Sequence, residues 1–323
     1  MEVKTIDEIA SFKKDFDAGF SDEPKHISSK YFYDALGDEL FQKIMNMEEY
    51  YLTNAEFEIF SKQKEALLER ISPNGEAFNL IELGAGDGTK TKILLKHFLE
   101  SSADFTYHPV DISSNILAEL AIALQEELPT LNFKTINLEY FSAIAELERS
   151  KGRKNVILFL GSNIGNFQVD QVRDFLAKLK ENCLPGDQFL LGVDLKKDPD
   201  RILAAYDDPH GITAEFNLNL LHRANRELGA NFKVDKFKHY ASYNPENGEA
   251  RSYIIAKEEM DVEVKALSKC FHFKANEYIH TEISKKYDLQ ELEDLAAEFS
   301  FEIKEHFTDS NKDFVNSLWE LKY

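Results

Sequence analysis

One segment constrains the fold of this chain more than any other, because it joins an apolar run to a helical run through three closely spaced glycines. The apolar run covers residues 78–83, the glycines are Gly84, Gly86 and Gly88, and a helical pattern begins at Thr89. A strand that enters a glycine-rich turn and then a helix brings the backbone close to a ligand. The segment therefore predicts a ligand-binding turn at the carboxyl end of a strand.

The spacing of these glycines indicates which ligand the turn binds. The dinucleotide fingerprint G-x-G-x-x-G requires glycine where this chain has Thr89. The observed G-x-G-x-G, with Glu82 two residues ahead of Gly84, resembles the first motif of class I S-adenosylmethionine (SAM) methyltransferases. That resemblance implies SAM as the cofactor, with Gly84 and Gly86 beside it. An NAD site and a glycine turn without a ligand are the alternatives.

Short apolar runs alternate with amphipathic runs from residue 78 to residue 194. The apolar runs cover residues 78–83, 105–110, 133–138, 156–160 and 188–193, and the helical patterns cover 89–100, 115–127, 141–149 and 169–182. Strands separated by helices predict right-handed crossovers and a parallel sheet with helices on both faces. The fold class is therefore α/β, with a doubly wound, Rossmann-like sheet that binds its ligand at the carboxyl ends of the strands.

The alternation stops after Asp194 and resumes only near the end of the chain. A polar, proline-containing break at 196–200 is followed by a helical pattern at 213–228 and strand-like segments at 237–243, 252–257 and 270–275. A helix at 289–299 and strands at 301–307 and 314–321 follow. The simplest architecture is an insertion. It predicts a SAM-binding domain of residues 61–195 plus 286–323, and an α+β substrate-binding lobe of residues 1–60 plus 196–285 over the cofactor site.

Charge and composition exclude several classes of partner. The formal net charge of −20 argues against nucleic acid or an anionic membrane as a partner, because phosphates require clustered Lys and Arg. The two cysteines have no metal-ligand spacing, so no metal site is expected, and they suit a reducing compartment. No signal-peptide pattern or apolar stretch of membrane-spanning length is present. These features predict a monomeric cytoplasmic protein that acts on a small molecule.

Polar residues at the ends of the predicted strands are candidates for holding the cofactor. Asp111 ends the second strand, where a carboxylate can accept both ribose hydroxyls, although it can equally begin the next helix. Glu139 and Tyr140 end the third, where they suit an adenine amino group and ring, or a solvated loop. Lys90 can meet the methionine carboxylate or remain an exposed helix lysine. Asn166 lies in a polar, glycine-containing loop after the fourth strand and is a candidate substrate contact.

Five further motifs carry a resemblance over nearly the whole chain. They are YFYD at 31–34, EYYLT at 49–53, GSNIGNF at 161–167, AYDD at 205–208 and TEIS at 281–284. Together and in this order they resemble the SAM-dependent L-histidine Nα-methyltransferases that form hercynine in ergothioneine biosynthesis. The resemblance implies a two-lobed enzyme with its catalytic site in the cleft.

The resemblance also implies roles for individual residues. Tyr206 and Asn166 would hold the α-carboxylate and α-amino end of the substrate, Glu282 and Ser284 would hold the imidazole ring, and Tyr33 and Tyr50 would line the pocket. Proton loss from the amine through Tyr33 or Asn166, or to water, is open. The implied SAM contacts are Gly84, Lys90, Asp111, Glu139 and Tyr140. The chain departs from the family pattern at Leu138-Glu139, in place of Gly-Asp, and at Asn163, in place of Thr.

Two other functions fit the same residues. Relatives of this family methylate other aromatic amino-acid derivatives, such as prenylated tryptophan. Glu282 and Ser284 together favour histidine, because an indole offers one donor and no ring acceptor. A SAM-binding protein without turnover is the second alternative, and the presence of Asn166 and Tyr206 argues against it.

Overall fold

The structure is a computed structural model that describes residues 6–145 and 152–322, and it divides into two compact units. The sheet unit is Leu52–Lys196 with Lys286–Tyr323, and the insertion unit is the segment ending at Tyr51 with Lys197–Lys285. The sequence pattern placed the first boundary after residue 60 instead. Helix Tyr51–Ile71 runs through both positions, and a continuous helical pattern does not show which core its first turns pack against.

The element bounds follow. The helices are α1 Ile6–Ser21, α2 Ala35–Met45, α3 Tyr51–Ile71, α4 Thr91–Glu100, α5 Ser114–Glu127, α6 Tyr140–Ala145, α7 Val169–Asn182, α8 Pro199–Tyr206, α9 Ile212–Leu228 and α10 Leu289–Glu298. The strands are β1 Lys25–His26, β2 Phe78–Leu83, β3 Phe105–Asp111, β4 Ile136–Asn137, β5 Lys154–Phe159, β6 Gln188–Asp194, β7 Phe237–Asn244, β8 Glu249–Ala256, β9 Met260–Val264, β10 Lys269–Phe273, β11 Tyr278–Lys285, β12 Phe301–Thr308 and β13 Phe314–Leu321.

The sheet unit contains a seven-stranded sheet in the order β12-β13-β6-β5-β2-β3-β4. Strands β2 to β6 pair in parallel, whereas β13 pairs antiparallel with both β6 and β12. All six residues of the central strand β2 are buried, which is typical of a parallel strand covered on both faces. The predicted α/β, doubly wound fold is confirmed.

The third predicted strand differs most from the structure. Only Ile136–Asn137 forms regular strand, and Phe133 adds one isolated bridge to Tyr107. This strand lies at the sheet edge, where it has a single neighbour, so fewer of its residues are held in a ladder. The helix predicted at 141–149 is seen as α6, and its last four residues lie outside the described ranges.

The insertion unit combines helices with strands that pair antiparallel, except for the two-residue β1, which pairs in parallel with β11. Its four-stranded sheet has the order β1-β11-β8-β7, and β9 pairs with β10 in a separate hairpin. Phe12, Phe16 and Phe20 recur every fourth residue of α1 and lie on one helix face. They join a core with Phe232 and Phe271, and the Phe16 and Phe20 rings stack at 3.8 Å. The predicted strand-like segments did not include β9, whereas Glu282 and Ser284, expected on one face of a strand, lie in β11.

Residues 6–145 and 152–322 contain neither a membrane-spanning helix nor a cluster of metal-ligating side chains. No helix there is both long enough and apolar enough to cross a bilayer. Within the same ranges, no three or more His, Cys, Asp or Glu side chains are grouped so that they could ligate a metal ion.

Candidate active site

The glycine turn after β2 has a backbone that favours glycine at three positions. The φ angles of Gly84, Gly86 and Gly88 are +75°, +54° and +67°, in the left-handed region. A Cβ on Gly84 would lie 2.7 Å from the hydroxyl of Tyr140, whereas one on Gly86 would meet no heavy atom within 4 Å. The turn is tied to β3, because the amides of Gly84 and Ala85 both donate to the carbonyl of Val110.

Glu82 holds the strand that leads into this turn. Its buried carboxylate accepts a hydrogen bond from Thr91 Oγ1 at 2.6 Å and another from the Tyr107 hydroxyl at 2.5 Å. Thr91 begins α4 and Tyr107 belongs to β3, so one side chain joins the elements on both sides of the turn. Burial raises the pKa of Glu82 to about 7, and the two hydroxyl donors oppose that shift.

We expect this carboxyl group to make folding stability depend on pH. The pKa of Glu82 rises from 4.5 to about 7 on folding, so between these values the folded chain keeps a proton that the unfolded chain releases. Stability should therefore fall as pH rises through this window, by about 3 kcal/mol in total. Glu82→Gln should lack that component. Urea unfolding between pH 4.5 and 8, followed by the fluorescence of the single tryptophan, measures the difference.

The exposed strand residue Glu302 provides the control for this comparison. Glu302→Gln should keep the pH dependence of the unmodified chain. An unchanged pH dependence in Glu82→Gln would show that Glu82 does not hold a proton in the folded state near pH 6.

Asp111 lies at the end of β3 and faces the glycine turn. Its Oδ2 accepts from the amide of Gly86 at 3.1 Å, and its Oδ1 accepts from the amide of Ser113 at 2.9 Å. Ser113 itself caps α5 by accepting from the amide of Ile116. The carboxylate is thus held beside the turn, and each oxygen retains a further lone pair for a ligand hydroxyl.

The two candidate residues after β4 differ in environment, because Tyr140 packs against the glycine turn and Glu139 is exposed. Tyr140 is the wall of the glycine turn, because its hydroxyl approaches Gly84 and its ring meets Phe159 edge-on at 5.1 Å. Burial raises the pKa of this phenol well above its usual value. Glu139 is exposed, and its Oε1 accepts a hydrogen bond from Ser142 Oγ at 3.4 Å. The glycine turn has no side chains of its own at Gly84 and Gly86, and the Asp111 carboxylate and the Tyr140 ring lie beside it. This arrangement fits a SAM molecule.

Lys90 pairs with a residue that the sequence interpretation did not consider. Its ammonium group contacts the carboxylate of Glu56, which is completely buried in the sheet unit. The same carboxylate accepts from the amide of Gly161, at the start of the loop after β5. Glu56 lies between Leu52 and Phe60 at intervals of four in α3, and these residues are also buried. A charged residue on an apolar helical stripe was the sequence signal that could have revealed it.

Asn166 ends a short 3₁₀ helix, Asn163–Asn166, in that loop. The amide of Ser162 donates to the carbonyl of Gly192, and its Oγ accepts from the amide of Asp194, so the loop is attached to β6 at two points. The side chain of Asn166 is exposed. The loop therefore presents this amide from a well-anchored base.

Three of the predicted substrate residues meet in the insertion unit. The hydroxyl of Tyr206, the last residue of α8, donates to Ser284 Oγ at 2.8 Å. On the neighbouring strand, Ser252 Oγ donates to Glu282 Oε2 at 2.9 Å. Tyr206 and Ser284 are buried, whereas Glu282 is partly exposed. We call Tyr206, Ser252, Glu282 and Ser284 the hydroxyl–carboxylate cluster.

A β-bulge in β11 places Glu282 and Ser284 on the same face of the sheet as Ile279. Ile279 pairs with Ile254, Glu282 pairs with Ser252 and Ser284 pairs with Ala250, and the register shifts between His280 and Glu282. The three partners alternate along β8 and therefore share one face. Without the extra residue, Glu282 would lie on the face opposite Ile279. The bulge thus places the TEIS polar groups on the side of the core residue Ile279.

His239 supports this cluster and was not predicted. Its Nε2–H donates to the carbonyl of Tyr206 at 2.8 Å, and its Nδ1 accepts from the side-chain amide of Asn217 at 2.7 Å. Burial lowers the pKa of His239, and the two hydrogen bonds are consistent with a neutral ring protonated at Nε2. The ring therefore fixes the backbone of Tyr206.

Tyr33 and Tyr50 both pack against the ring of Phe41. Their rings lie 5.4 Å and 6.3 Å from it, both edge-on, and Tyr33 is 43% exposed. Arg223 Nη1 donates to the carbonyls of Tyr31 and Tyr33, which orders the YFYD segment. Tyr33 and Tyr50 thus belong to the insertion unit, whereas Asn166 and the predicted cofactor residues belong to the sheet unit.

The sheet unit, with its glycine turn after the central strand and a carboxylate after the next, has the form of a class I SAM methyltransferase. A sequence profile described as "Histidine-specific methyltransferase, SAM-dependent" matches residues 12–321. The chain belongs to this family of SAM-dependent histidine-specific methyltransferases. The class and the cofactor predicted from the glycine spacing are confirmed, as is the family resemblance, and the NAD alternative is wrong.

Known proteins of the same kind match over most of this chain. It is 36% identical over 309 residues to the histidine N-alpha-methyltransferase of Mycobacterium tuberculosis, covering 95% of this chain and 94% of that protein. It is 34% identical over 308 residues to the enzyme of the same name from Mycolicibacterium smegmatis, with the same coverage. The ergothioneine biosynthesis protein 1 of Schizosaccharomyces pombe is 29% identical over 297 residues, which cover 89% of this chain and 38% of that protein.

Proposed function

We propose that this enzyme methylates the α-nitrogen of L-histidine and continues to Nα,Nα,Nα-trimethylhistidine (hercynine), as a step of ergothioneine biosynthesis. The observation that carries the substrate assignment is the hydroxyl–carboxylate cluster. In it, Glu282 and Ser284 share one strand face and are already held by Ser252 and Tyr206. Family membership and the mycobacterial relatives support the same reaction.

The sheet unit would hold the cofactor. The backbone at Gly84 and Gly86 would lie against it, Asp111 would accept its ribose hydroxyls, and Tyr140 would close the side of the turn. Lys90 would meet the methionine carboxylate, and Glu139 the adenine amino group. When bound, SAM supplies an electrophilic methyl group that needs no further activation.

The insertion unit would hold the side chain of the substrate. Imidazole offers one N–H donor and one acceptor in its neutral form. The Glu282 carboxylate can accept from the ring N–H, while the Ser284 hydroxyl can serve the other nitrogen. When histidine binds, the hydroxyl proton of Tyr206 would turn from Ser284 Oγ to the α-carboxylate of the substrate. Asn166, whose amide is both donor and acceptor, would bind the same end of the substrate. A rigid cluster of this kind reduces the ordering that binding requires.

Alignment and proton removal are the two catalytic tasks of the protein. Holding the amine in line with the donor can lower the barrier by roughly 7–11 kcal/mol. The reacting amine must be neutral, so its proton must pass to water. We assign Tyr33 to relay that proton to solvent, and Asn166 to position the amine and the water that accepts the proton. Tyr33 and Tyr50 would also contact the growing methylammonium, an attraction of about 0.5–2 kcal/mol per ring.

We infer further that the enzyme works as a cytoplasmic monomer without a nucleic-acid or membrane partner. The net charge of −20 supports this inference, because a strongly acidic surface repels phosphate groups. Light scattering at several protein concentrations tests the monomer.

Mass spectrometry of the products formed from SAM and single amino acids tests the function. We expect mono-, di- and trimethylated histidine to appear in sequence, and no product from alanine or phenylalanine. L-Tryptophan and a prenylated tryptophan belong in the panel, because they represent the other substrate class. A product from a tryptophan derivative with none from histidine would overturn the substrate assignment and leave the methyltransferase class intact.

A further inference from the structure

Glu56 is a completely buried carboxylate whose hydrogen bonds and ion pair lie within the sheet unit. Its two oxygens lie 3.2 Å and 3.1 Å from the amide nitrogen of Gly161, and one of them contacts the ammonium of Lys90. A buried carboxylate is costly unless it is paired and hydrogen-bonded. Glu56 is paired with the Lys90 ammonium, just before α4, and accepts from the Gly161 amide, just after β5.

The surrounding backbone leaves space for this carboxylate. A Cβ at Gly192 would lie 2.4 Å from Glu56 Oε1 and 2.8 Å from Asn316 Oδ1. Any other residue at 192 would therefore displace one of these groups, although the backbone of Gly192 has no positive φ angle that favours glycine. The Glu56 carboxylate thus explains why β6 has a glycine at position 192.

Lys90 keeps donors available after it has paired with Glu56. An ammonium group has three N–H donors, and its pairing with Glu56 can use one of them. The lysine side chain remains 25% exposed, whereas the glutamate is fully buried. The buried partner therefore fixes the ammonium position, and the remaining donors can meet a second carboxylate.

We propose that Glu56 is a positioning residue for methyl transfer, which anchors both the Lys90 ammonium for the methionine carboxylate of the cofactor and the start of the loop that carries Asn166. This inference rests on the proposed function. Glu56 acts through Lys90 and Gly161 and is not itself a catalytic residue. Without it, Lys90 would extend into solvent and lose part of its affinity for the cofactor carboxylate.

Two ligands that differ in their amino-acid portion test this role by calorimetry. S-adenosylhomocysteine carries the α-carboxylate, whereas 5′-methylthioadenosine lacks the whole amino-acid group. In Glu56→Gln we expect the Kd for S-adenosylhomocysteine to rise about tenfold or more, as loss of a charge-assisted hydrogen bond predicts. The Kd for 5′-methylthioadenosine should change less than about twofold, because the nucleoside does not use Lys90.

Glu58 supplies the matched control two residues along the same helix. It pairs with Lys62 and accepts from the amide of Ser310. Glu58→Gln should leave both dissociation constants unchanged. Gly192→Ala provides a second route, because its Cβ would push the Glu56 carboxylate from its position without altering any charge. It should reproduce the selective loss, and it replaces Glu56→Gln if that variant does not fold.

A double-mutant cycle with Lys90→Met completes the test. The combined variant Glu56→Gln with Lys90→Met should bind S-adenosylhomocysteine no more weakly than Lys90→Met alone, because Glu56 acts through that lysine. Additive losses, or equal losses for the two ligands in Glu56→Gln, would overturn the positioning role. Failure of the unmodified enzyme to bind S-adenosylhomocysteine would instead contradict the proposed function, so the two failures are distinguishable.

Discussion

Glu282→Ala is expected to weaken L-histidine binding by about a hundredfold and to leave SAM binding unchanged. A hydrogen bond to a charged group contributes about 1.5–3 kcal/mol, and the alanine also leaves the hydroxyl of Ser252 without its carboxylate acceptor. Glu282 belongs to the insertion unit, whereas the glycine turn belongs to the sheet unit. Calorimetric titration with each ligand separately measures the two affinities.

Two further variants define what Glu282 contributes. Glu282→Gln keeps the size of the side chain and one acceptor but removes the charge, so its histidine affinity should lie between those of the unmodified enzyme and the alanine variant. Glu263 is an exposed glutamate on β9 of the same unit, and Glu263→Ala should change neither affinity. Equal losses of histidine and SAM binding in Glu282→Ala would show that the proposed ring contact is misplaced.

Gly84→Ala is expected to reduce SAM affinity by at least about a hundredfold. An alanine with φ near +75° is strained by roughly 1–2 kcal/mol. Its Cβ would also lie 2.7 Å from the Tyr140 hydroxyl, so the wall of the turn must move. The backbone of the turn and the Tyr140 side chain would both shift, and both would contact SAM. Calorimetry with SAM, together with thermal unfolding of the free protein, separates loss of binding from loss of stability.

Gly75→Ala is a close control for the backbone strain. Gly75 has a φ angle of +76°, but a Cβ there would meet no heavy atom within 4 Å. Both alanine variants should lose stability through backbone strain, Gly84→Ala by the larger amount because Tyr140 must also move, and only Gly84→Ala should lose SAM. Gly86→Ala also lacks a Cβ clash and should fall between the two. Unchanged SAM binding in Gly84→Ala would place the cofactor elsewhere.

Local patterns predicted many of the elements, because each depends on residues close together in the chain. The bounds of β2, α7 and β13 agree with the patterns to the residue. The glycine spacing predicted the turn, since a left-handed backbone there depends on the residue type itself. The motifs likewise identified Tyr206, Glu282 and Ser284, which the fold brings into one cluster.

Contacts between distant segments were not predictable in this way. Glu82 was noted only as part of the glycine motif, and its partner Tyr107 lies on another strand. The bulge in β11 depends on pairing with β8, and periodicity along one strand contains no information about its partner's register. Glu56 contacts Gly161 across 105 positions of sequence.

The amino-acid sequence by itself determined the class of fold, the glycine turn and the family, because periodicity, glycine spacing and motif order are properties of neighbouring residues. Only the tertiary structure decided that Glu56 is buried beside Lys90, that Glu282 and Ser284 share the face of Ile279, and that β4 shortens at the sheet edge. Burial and hydrogen-bond partners depend on which segments come into contact, and those contacts form only when all the elements of the chain pack together.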